Sequence, residues 1–265
     1  MMHLNMDPKL VLGILGNATA MALFLSPTPT FVRIFKTKST EEFSGLPYVC
    51  TLLNCLLWVL YGLPIVKPHS MLIITINVFG VAMELFFITL YVVFATKKSK
   101  IKVTRYMTLV VIFYVAIIVI TIFALHTLSL RQLVVGSVCV VIAVAMYAAP
   151  LSIMGLVIRT KSVEFMPFTL SLCNFTNSAV WTAYSLVTKD IFVGIPNGIG
   201  CISGIVQLIL YALYYKNSKK IKSEEEKLGK GQGKSDATYL QKSNTALSKD
   251  LEKSISMDTF HKGKG

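Results

Sequence analysis

Two asparagines and two tryptophans lie in strongly apolar stretches of this sequence, where they are suited to binding a ligand. The amide groups of Asn77 and Asn197 both donate and accept hydrogen bonds, and Trp58 and Trp181 offer flat aromatic surfaces. An amide in an apolar stretch is costly unless it meets a partner or a wet cavity, which favours a binding role. The alternative is structural: the amides would then only join neighbouring helices, and the indole rings would only pack.

These residues form pairs because much of the sequence occurs twice. The segments 27–77 and 150–197 match at several positions: Pro27 and Pro150, Thr37-Lys38-Ser39 and Thr160-Lys161-Ser162, Pro47 and Pro167, Trp58 and Trp181, Tyr61 and Tyr184, and Asn77 and Asn197. The offset is 123 at the tryptophans and 120 at the asparagines, so the copies differ by small insertions. Such a repeat indicates two equivalent structural units, whose paired residues would meet near a shared axis.

The composition indicates a membrane protein. Hydrophobic residues make up 54% of the chain and charged residues 15%, whereas a soluble domain carries about 25% charged residues. Seven apolar windows have about the length that a helix needs to cross a bilayer, and they are too long and too uniform for barrel strands. They are approximately residues 10–32, 46–66, 71–95, 106–125, 132–157, 168–187 and 192–215.

The placement of basic residues predicts the orientation in the membrane. Of the 26 Lys and Arg residues, 22 lie in the segments 33–45, 96–105, 159–167 and 216–265, and the other four lie in the alternate loops. Because cytosolic loops carry the excess of Lys and Arg, we expect the N-terminus outside and the C-terminus in the cytosol. The net charge of +13 therefore reflects topology, and no nucleic-acid partner is expected.

The repeat and the spans together predict an all-α membrane protein of seven transmembrane helices in a 3+1+3 arrangement. Two three-helix repeats, 10–95 and 132–215, are joined by a linker region at 96–131 that contains the fourth helix. This extra crossing makes the repeats parallel, with the binding site between them. Residues 1–9 would be extracellular or lumenal, and residues 216–265 would form a disordered cytosolic tail.

Enzyme and metal chemistry find no support in the sequence. No nucleophile, base and orienting group converge, and the five Cys residues lie in spans without the paired spacings of metal sites or a disulfide framework. We expect no cofactor and no metal. The polar N-terminal residues lead directly into the first span without a cleavage-site pattern, so no cleaved signal peptide is expected.

Several long motifs in one order resemble the plant-type SWEET sugar transporters. They are Pro-Thr-Phe-x-x-Ile-x-Lys-x-Lys-Ser-Thr-Glu from Pro29, Leu-Pro-Tyr from Leu46, Tyr-Ala-Ala-Pro-Leu-Ser-Ile-Met from Tyr147, Thr-Lys-Ser-Val-Glu-Phe-Met-Pro from Thr160 and Pro-Asn-Gly-Ile-Gly from Pro196. The resemblance covers about residues 10–216. It implies energy-independent, bidirectional sugar uniport by alternating access, with each three-helix unit of the PQ-loop type.

The resemblance also implies roles for the paired residues. A sugar has hydroxyl groups at its rim and C–H groups on its faces, so Asn77, Asn197, Trp58 and Trp181 would hold it. Four further positions would select its size, and all four carry bulkier residues than relatives that transport disaccharides: Leu23, Asn54, Met146 and Asn177. The pocket should therefore suit a monosaccharide. The repeat offset also allows Asn54 to pair with Asn174, and Leu23 and Met146 are alternatively ordinary packing residues.

Prolines and aromatic residues would form the gates in the resembling family. Pro27, Pro47, Pro150 and Pro167 fall toward the cytosolic side, where proline gives a helix a place to bend, and they would form an inner gate. Pro47 and Pro167 are alternatively helix-initiating residues. The implied outer gate consists of Tyr61, Tyr184 and Asp190, with Gly136 allowing a close approach.

Glu84 is the one acidic residue deep in a predicted span. Such a residue is a candidate for carrying a proton, but we expect a hydrogen bond to a neighbouring helix, since the resembling family works without an ion gradient. Gly200 and Gly204 form a small-xxx-small pair for helix packing.

Two other protein classes have a similar topology. A seven-span receptor shares the span number, but it has no reason to repeat its first three helices. A PQ-loop amino-acid exporter needs a charged partner for its zwitterionic substrate, and the proposed pocket holds none. A sucrose-transporting member of the resembling family is the nearer alternative. We expect the protein in the plasma membrane, with the vacuolar membrane as the alternative. The sequence is compatible with homo-oligomers and with hetero-oligomers.

Overall fold

The computed structural model of the protein describes residues 7–223. Within this range the chain is helical and contains no strand. The helices are α1 (Pro8–Leu25), α2 (Thr28–Thr37), α3 (Leu46–Gly62), α4 (Met71–Phe94), α5 (Lys97–Val119, continued by a π-helical turn at Ile120–Ala124), α6 (Leu128–Ala145), α7 (Ala148–Thr160), α8 (Phe168–Thr188) and α9 (Ile191–Ser223).

The all-helical membrane fold predicted from the sequence is confirmed. The seven expected spans correspond to α1 with α2, α3, α4, α5, α6 with α7, α8, and α9. Five helical segments of the described chain are long and apolar enough to cross a membrane: Pro8–Thr37, Met71–Phe94, Lys97–Ala124, Leu128–Thr160 and Ile191–Ser223. Helix α3 is apolar but shorter, and α8 is diluted by Ser, Thr and Asn residues.

Two helices begin several residues earlier than the predicted windows. The fourth span was expected from residue 106 but begins at Lys97, and the fifth was expected from residue 132 but begins at Leu128. Thr96 and Thr127 precede these helices, and their hydroxyl groups accept hydrogen bonds from the first-turn N–H groups of Ser99 and Leu130. Hydropathy windows stop at charged residues, whereas a helix continues through them to its cap.

The end of the chain also differs from the prediction. Helix α9 continues to Ser223, beyond the expected end at residue 215, so the first residues of the tail predicted to be disordered are helical. The remainder of that tail, and most of the N-terminal segment 1–9, lie outside the described residues.

Two expected spans are interrupted by a turn. The first breaks at Ser26 and Pro27 and the fifth at Met146 and Tyr147. Proline lacks the N–H group of a helical hydrogen bond, and its ring clashes with the carbonyl group four residues earlier. For Pro150 that carbonyl belongs to Met146, so the break lies three to four residues before this proline. In the first copy it lies at Pro27 itself, where the Ser26 N–H turns back to Leu23 O, 3.1 Å away.

The packing of the helices follows the repeat. In the first copy α4 packs between α1 and α3. In the second copy α9 approaches α6 at Gly136 and Phe192, and it approaches α8 at Gly204 and Phe175. The two copies meet where α1 packs against α8 and where α3 packs against α6, and α5 packs against α3. One apolar cluster contains Trp58 and residues of α6, α8 and α9, so the core is shared by both copies.

Candidate functional site

A cavity of about 160 Å³ lies between the two copies of the repeat. It contains six of the eight side chains predicted to bind or select a ligand. Its lining residues are Ala20 and Phe24 of α1, Asn54 and Trp58 of α3, Ile73, Ile76 and Asn77 of α4, Asn177 and Trp181 of α8, and Val193 and Asn197 of α9. No formal charge lines it, so the cavity suits a neutral molecule with polar and apolar parts.

The asparagines of α4 and α9 are held in the same way. In each, the amide Nδ2 group donates to the backbone carbonyl group one turn earlier: Asn77 to Ile73 and Asn197 to Val193, both at 2.8 Å. This bond fixes the side-chain amide and leaves the Oδ1 atom as an acceptor. Two equivalent amides therefore present acceptors to a ligand from the two copies.

The tryptophans are also held in equivalent ways. Trp58 packs edge-on against Tyr61, with ring centroids 5.4 Å apart, and Trp181 packs against Tyr184 at 5.2 Å. Both indole rings are more than 90% buried. Such contacts restrain each ring beside the cavity, where its face can pack against the apolar side of a ligand.

Gly16 of α1 positions the ring of Trp181. A methyl group at Gly16 would lie 2.8 Å from Cε2 of Trp181, closer than van der Waals contact allows. The absence of a side chain at this position therefore lets the indole ring of α8 approach α1 and reach the cavity.

We predict that Gly16→Ala raises the KM for the transported ligand at least threefold, because the added methyl group displaces the Trp181 ring and overpacking costs about 1 to 3 kcal/mol. The measurement is initial uptake rate against ligand concentration. Gly155→Ala is the matched control, since a methyl group there meets no atom within 4 Å. An unchanged KM for Gly16→Ala would mean that the ring position is unimportant.

A buried polar network closes one end of the cavity. Asp190, immediately before α9, accepts a hydrogen bond from the hydroxyl group of Tyr61 at 2.9 Å and forms an ion pair with Lys67. Its Oδ1 atom also accepts from the backbone N–H groups of Phe192 and Val193, at 3.2 and 3.4 Å. The Asp190 side chain is 1% exposed. This carboxylate therefore caps α9 and joins the two copies beside the tryptophans.

Two further contacts reinforce this end. The Arg131 guanidinium group donates to the carbonyl groups of Ile65, at 3.2 Å, and Leu125, at 2.8 Å. Lys9 donates to the carbonyl group of His69 at 2.8 Å. The loop between α3 and α4 is thereby tied to α1 and to α6.

The other predicted gate residues have the following places. Tyr184 is buried beside Trp181, and Gly136 lies directly against the ring of Phe192. Pro27 and Pro150 lie at the helix breaks. Pro47 is in the first turn of α3, and Pro167 immediately precedes α8, positions in which proline initiates a helix. Their bending role stays a prediction.

Two predicted size-selecting residues, Leu23 and Met146, do not line the cavity. Both lie at the helix breaks, one turn or less from the prolines, and are half-buried. Phe24 lines the cavity instead. Ala20 and Phe24 lie one turn apart on the face of α1 that lines the cavity, whereas Leu23 of the same helix points about 100° away from Phe24 around the axis.

Lys67 is a site residue that the sequence analysis counted only as a loop charge. The sequence did contain a clue, because the acidic residue Asp190 lies at the matching end of the second copy. Glu84 is 3% exposed, and its Oε2 atom has no hydrogen-bond partner among the described residues, so the expected bond to a neighbouring helix is not found at that atom.

Two larger concavities in the described part of the chain lack the paired residues. One, of about 220 Å³, lies at the surface between Glu41, Tyr91 and Lys102 and mixes opposite charges. The other, of about 620 Å³, is an apolar groove beside Leu186 and Gly198. Neither combines amides and indole rings from both copies, so the smaller cavity is the better candidate for a polar ligand.

Comparison with known proteins identifies relatives along most of the chain. The profile of the MtN3_slv family, described as "Sugar efflux transporter for intercellular exchange", matches residues 10–99 and 133–219. The chain is 52% identical to the bidirectional sugar transporter SWEET7 of Arabidopsis thaliana, over 84% of this chain and 87% of that protein. It is 49% identical to the bidirectional sugar transporter SWEET4 of Oryza sativa subsp. indica, over 80% of this chain and 82% of that protein.

A solved structure agrees with these similarities. The chain matches the 3.7 Å structure of a eukaryotic SWEET transporter with a TM-score of 0.76 and 44% sequence identity, over 79% of this chain and 97% of that chain. The family profile matches more than half of the residues, and it does so in two segments that contain the two copies of the repeat. This chain therefore belongs to the MtN3/SWEET family of sugar transporters.

Proposed function

We propose that this protein is a bidirectional uniporter that moves hexoses down their gradient by alternating access. The observation that carries the proposal is the cavity between the copies, which combines two Asn acceptors with two indole rings. Hydroxyl groups at the rim of a sugar donate to the acceptors, and the C–H faces pack against the rings.

The size of the cavity supports a monosaccharide. A cavity of about 150 Å³ holds a benzene ring, and this one, of about 160 Å³, has room on the scale of one six-membered ring. A disaccharide has two rings and requires a wider site. The bulky side chains at Asn54 and Asn177 restrict the cavity on the two sides.

The proposal includes the 3+1+3 arrangement, with the N-terminus outside and the C-terminus in the cytosol. It is supported by the two segments that match the family profile, which leave residues 100–132 between them, and by the distribution of basic residues. In this orientation, the end closed by Tyr61, Lys67 and Asp190 faces outward.

In this proposal the structure is closed to the outside, and transport requires the outer contacts to break. At the opposite end α2 and α7 share at most slight contact, in contrast to the close packing of α1 with α8. A change in the angle between the helical segments at Pro27 and Pro150 would bring α2 and α7 together as the outer contacts separate. The copies would thereby expose the sugar to the two sides in turn.

Uptake of radiolabelled glucose, fructose and sucrose into liposomes containing the purified protein tests this function, with and without an imposed pH gradient. We expect saturable glucose flux in both directions, unaffected by the gradient, and no sucrose flux. A flux that follows the pH gradient would replace the uniport proposal with proton coupling, for which Glu84 is the candidate. No sugar flux from folded protein would refute the transport proposal.

We predict that replacing Leu23, Asn54, Met146 and Asn177 together with smaller residues admits sucrose. Asn54 and Asn177 line the cavity directly, and Leu23 and Met146 lie at the breaks through which a larger sugar would pass. The measurement is sucrose uptake relative to glucose uptake in liposomes. A variant in which only Leu23 and Met146 are replaced tests whether these two residues limit the passage of sucrose separately from its binding. Continued exclusion of sucrose by the fourfold variant would refute the size argument.

We further propose the plasma membrane as the site of action, from the family resemblance, with the vacuolar membrane as the alternative. Imaging of a fluorescently tagged protein in plant cells, with markers for both membranes, distinguishes the two locations.

A further inference from the structure

The two asparagines that restrict the cavity, Asn54 and Asn177, are bonded differently. The hydroxyl group of Thr19 on α1 donates to Oδ1 of Asn177 on α8 at 2.9 Å, which links the two copies. Asn54 on α3 has no equivalent bond, because its Oδ1 atom is buried without a hydrogen-bond partner among the described residues. Equivalent residues of the repeat thus stand in different polar surroundings.

The repeat explains this difference. Helices α1 and α6 are equivalent with an offset of 123 residues, since Gly13 of α1 packs closely on Leu72 of α4 and Gly136 of α6 packs on Phe192 of α9. The interface of α1 with α8 corresponds to that of α3 with α6.

With this offset the position of Thr19 corresponds to Ile142, a side chain with no hydrogen-bonding group. Only the second copy's asparagine therefore has a hydroxyl donor at this place on the facing helix.

We propose that Thr19 is a positioning residue that turns Asn177 so that its Nδ2 group, and not its Oδ1 atom, is offered to the transported sugar. This inference rests on the proposed sugar transport. With Oδ1 engaged by Thr19, the remaining polar group of Asn177 is a donor, and no acceptor is found for it among the described residues. Asn77 and Asn197, whose Nδ2 groups are fixed on their own helices, offer their Oδ1 atoms as acceptors.

The consequence is a site that treats the sugar hydroxyl groups differently. A hydroxyl group next to Nδ2 of Asn177 accepts a hydrogen bond, whereas a hydroxyl group next to Oδ1 of Asn77 or Asn197 donates one. Thr19 lies 3.1 Å from the carbonyl groups of Leu15 and Gly16, and its single proton serves the nearer Oδ1 atom of Asn177. If the proton served a carbonyl group instead, Asn177 would be turned over and offer Oδ1 to the sugar.

Competition by sugar analogues distinguishes these orientations. Uptake of labelled glucose into liposomes is inhibited with deoxyglucoses and deoxyfluoroglucoses altered at each ring hydroxyl in turn. Fluorine accepts weak hydrogen bonds but cannot donate, and hydrogen does neither. For the wild-type protein we expect one ring position at which the fluoro analogue inhibits at about threefold or more lower concentration than the deoxy analogue, in line with one net hydrogen bond.

Variants of Thr19 test whether this residue causes the preference for the fluoro analogue. In Thr19→Val we expect the preference to fall to near unity and the KM for glucose to rise by about two- to tenfold. Thr19→Ser, which keeps the hydroxyl group, restores both values. Thr89→Val is the matched control, because Thr89 is exposed and its hydroxyl group donates to Leu85 O of its own helix.

A double variant tests the coupling. Asn177→Ala removes the preference by itself, and adding Thr19→Val to it has no further effect on the preference if the two residues act as a unit. Inhibition constants do not depend on the amount of protein in the liposomes, and Thr19→Ala gives the same comparison if Thr19→Val is unstable.

An unchanged preference in both Thr19→Val and Thr19→Ala, or the lack of any position that tolerates fluorine in the wild type, would overturn the inference while glucose transport stands. Absence of glucose transport by the wild-type protein would instead overturn the proposed function, and this inference with it.

Discussion

We expect Asn77→Ala and Asn197→Ala each to lower sugar transport strongly while the protein remains folded in the membrane. Each side chain has its Nδ2 group fixed on the preceding helical turn and its Oδ1 atom free for the cavity, so no other atom can take over its bond to the sugar. Losing one polar contact costs about 1 to 3 kcal/mol when its partner is left unpaired. We therefore expect glucose uptake at low concentration to fall at least tenfold, by initial rates in liposomes.

Asn17→Ala is the control for losing an amide in a span. Asn17 donates to Leu72 O at 2.8 Å and accepts from Thr75 at 2.9 Å, and it does not line the cavity. This control should lower thermal stability but keep the KM for glucose. Normal transport by Asn77→Ala and Asn197→Ala at equal abundance would show that the cavity is not the binding site.

Asp190→Ala causes the largest expected loss of stability. It removes the cap of α9, the acceptor for Tyr61 and the partner of Lys67 in one change. Breaking a buried ion pair by removing one partner costs about 3 to 5 kcal/mol. At about 2 to 4 °C per kcal/mol for a protein of this size, we expect the melting temperature in detergent to fall by at least 6 °C.

Asp190→Asn separates the contributions. Its amide oxygen can still accept from Tyr61 and cap α9, but the charge that pairs with Lys67 is lost, so an intermediate melting temperature is expected. In the proposed transport cycle, exchange of glucose across the membrane should slow in both variants, because the state closed by this network is weakened. If both variants melt at the wild-type temperature, the network contributes nothing to stability and cannot act as the outer gate.

The sequence alone determined the class of the fold and most of the cavity. Apolar windows of bilayer length predict helices because the backbone must satisfy its own hydrogen bonds in lipid. Six of the eight predicted binding and size-selecting residues line the cavity. Four of them, Asn77, Asn197, Trp58 and Trp181, follow from the repeat, because a polar or aromatic side chain that recurs in both copies signals a place where the copies meet. The resemblance to the family named Asn54 and Asn177. Asn77 and Asn197 are recognisable in this way without coordinates.

Only the tertiary structure decided which neighbouring residues serve the cavity. Phe24 lines it in place of Leu23, because packing turns the Ala20 and Phe24 face of α1 toward the cavity. Helical spacing predicts which residues share a face, but it does not predict which face the packing turns toward the cavity.

The contacts between the copies also needed the structure. Lys67 pairs with Asp190, and Thr19 bonds to Asn177, across more than 120 residues of sequence in each case. Hydropathy specifies that a segment enters the membrane, but the packing of α1 on α8 and of α3 on α6 depends on the close fit of many small and large side chains together. A hydrogen bond or ion pair across such an interface forms only when this packing fixes the membrane depth and the rotation of both helices. No local sequence pattern predicts these two quantities.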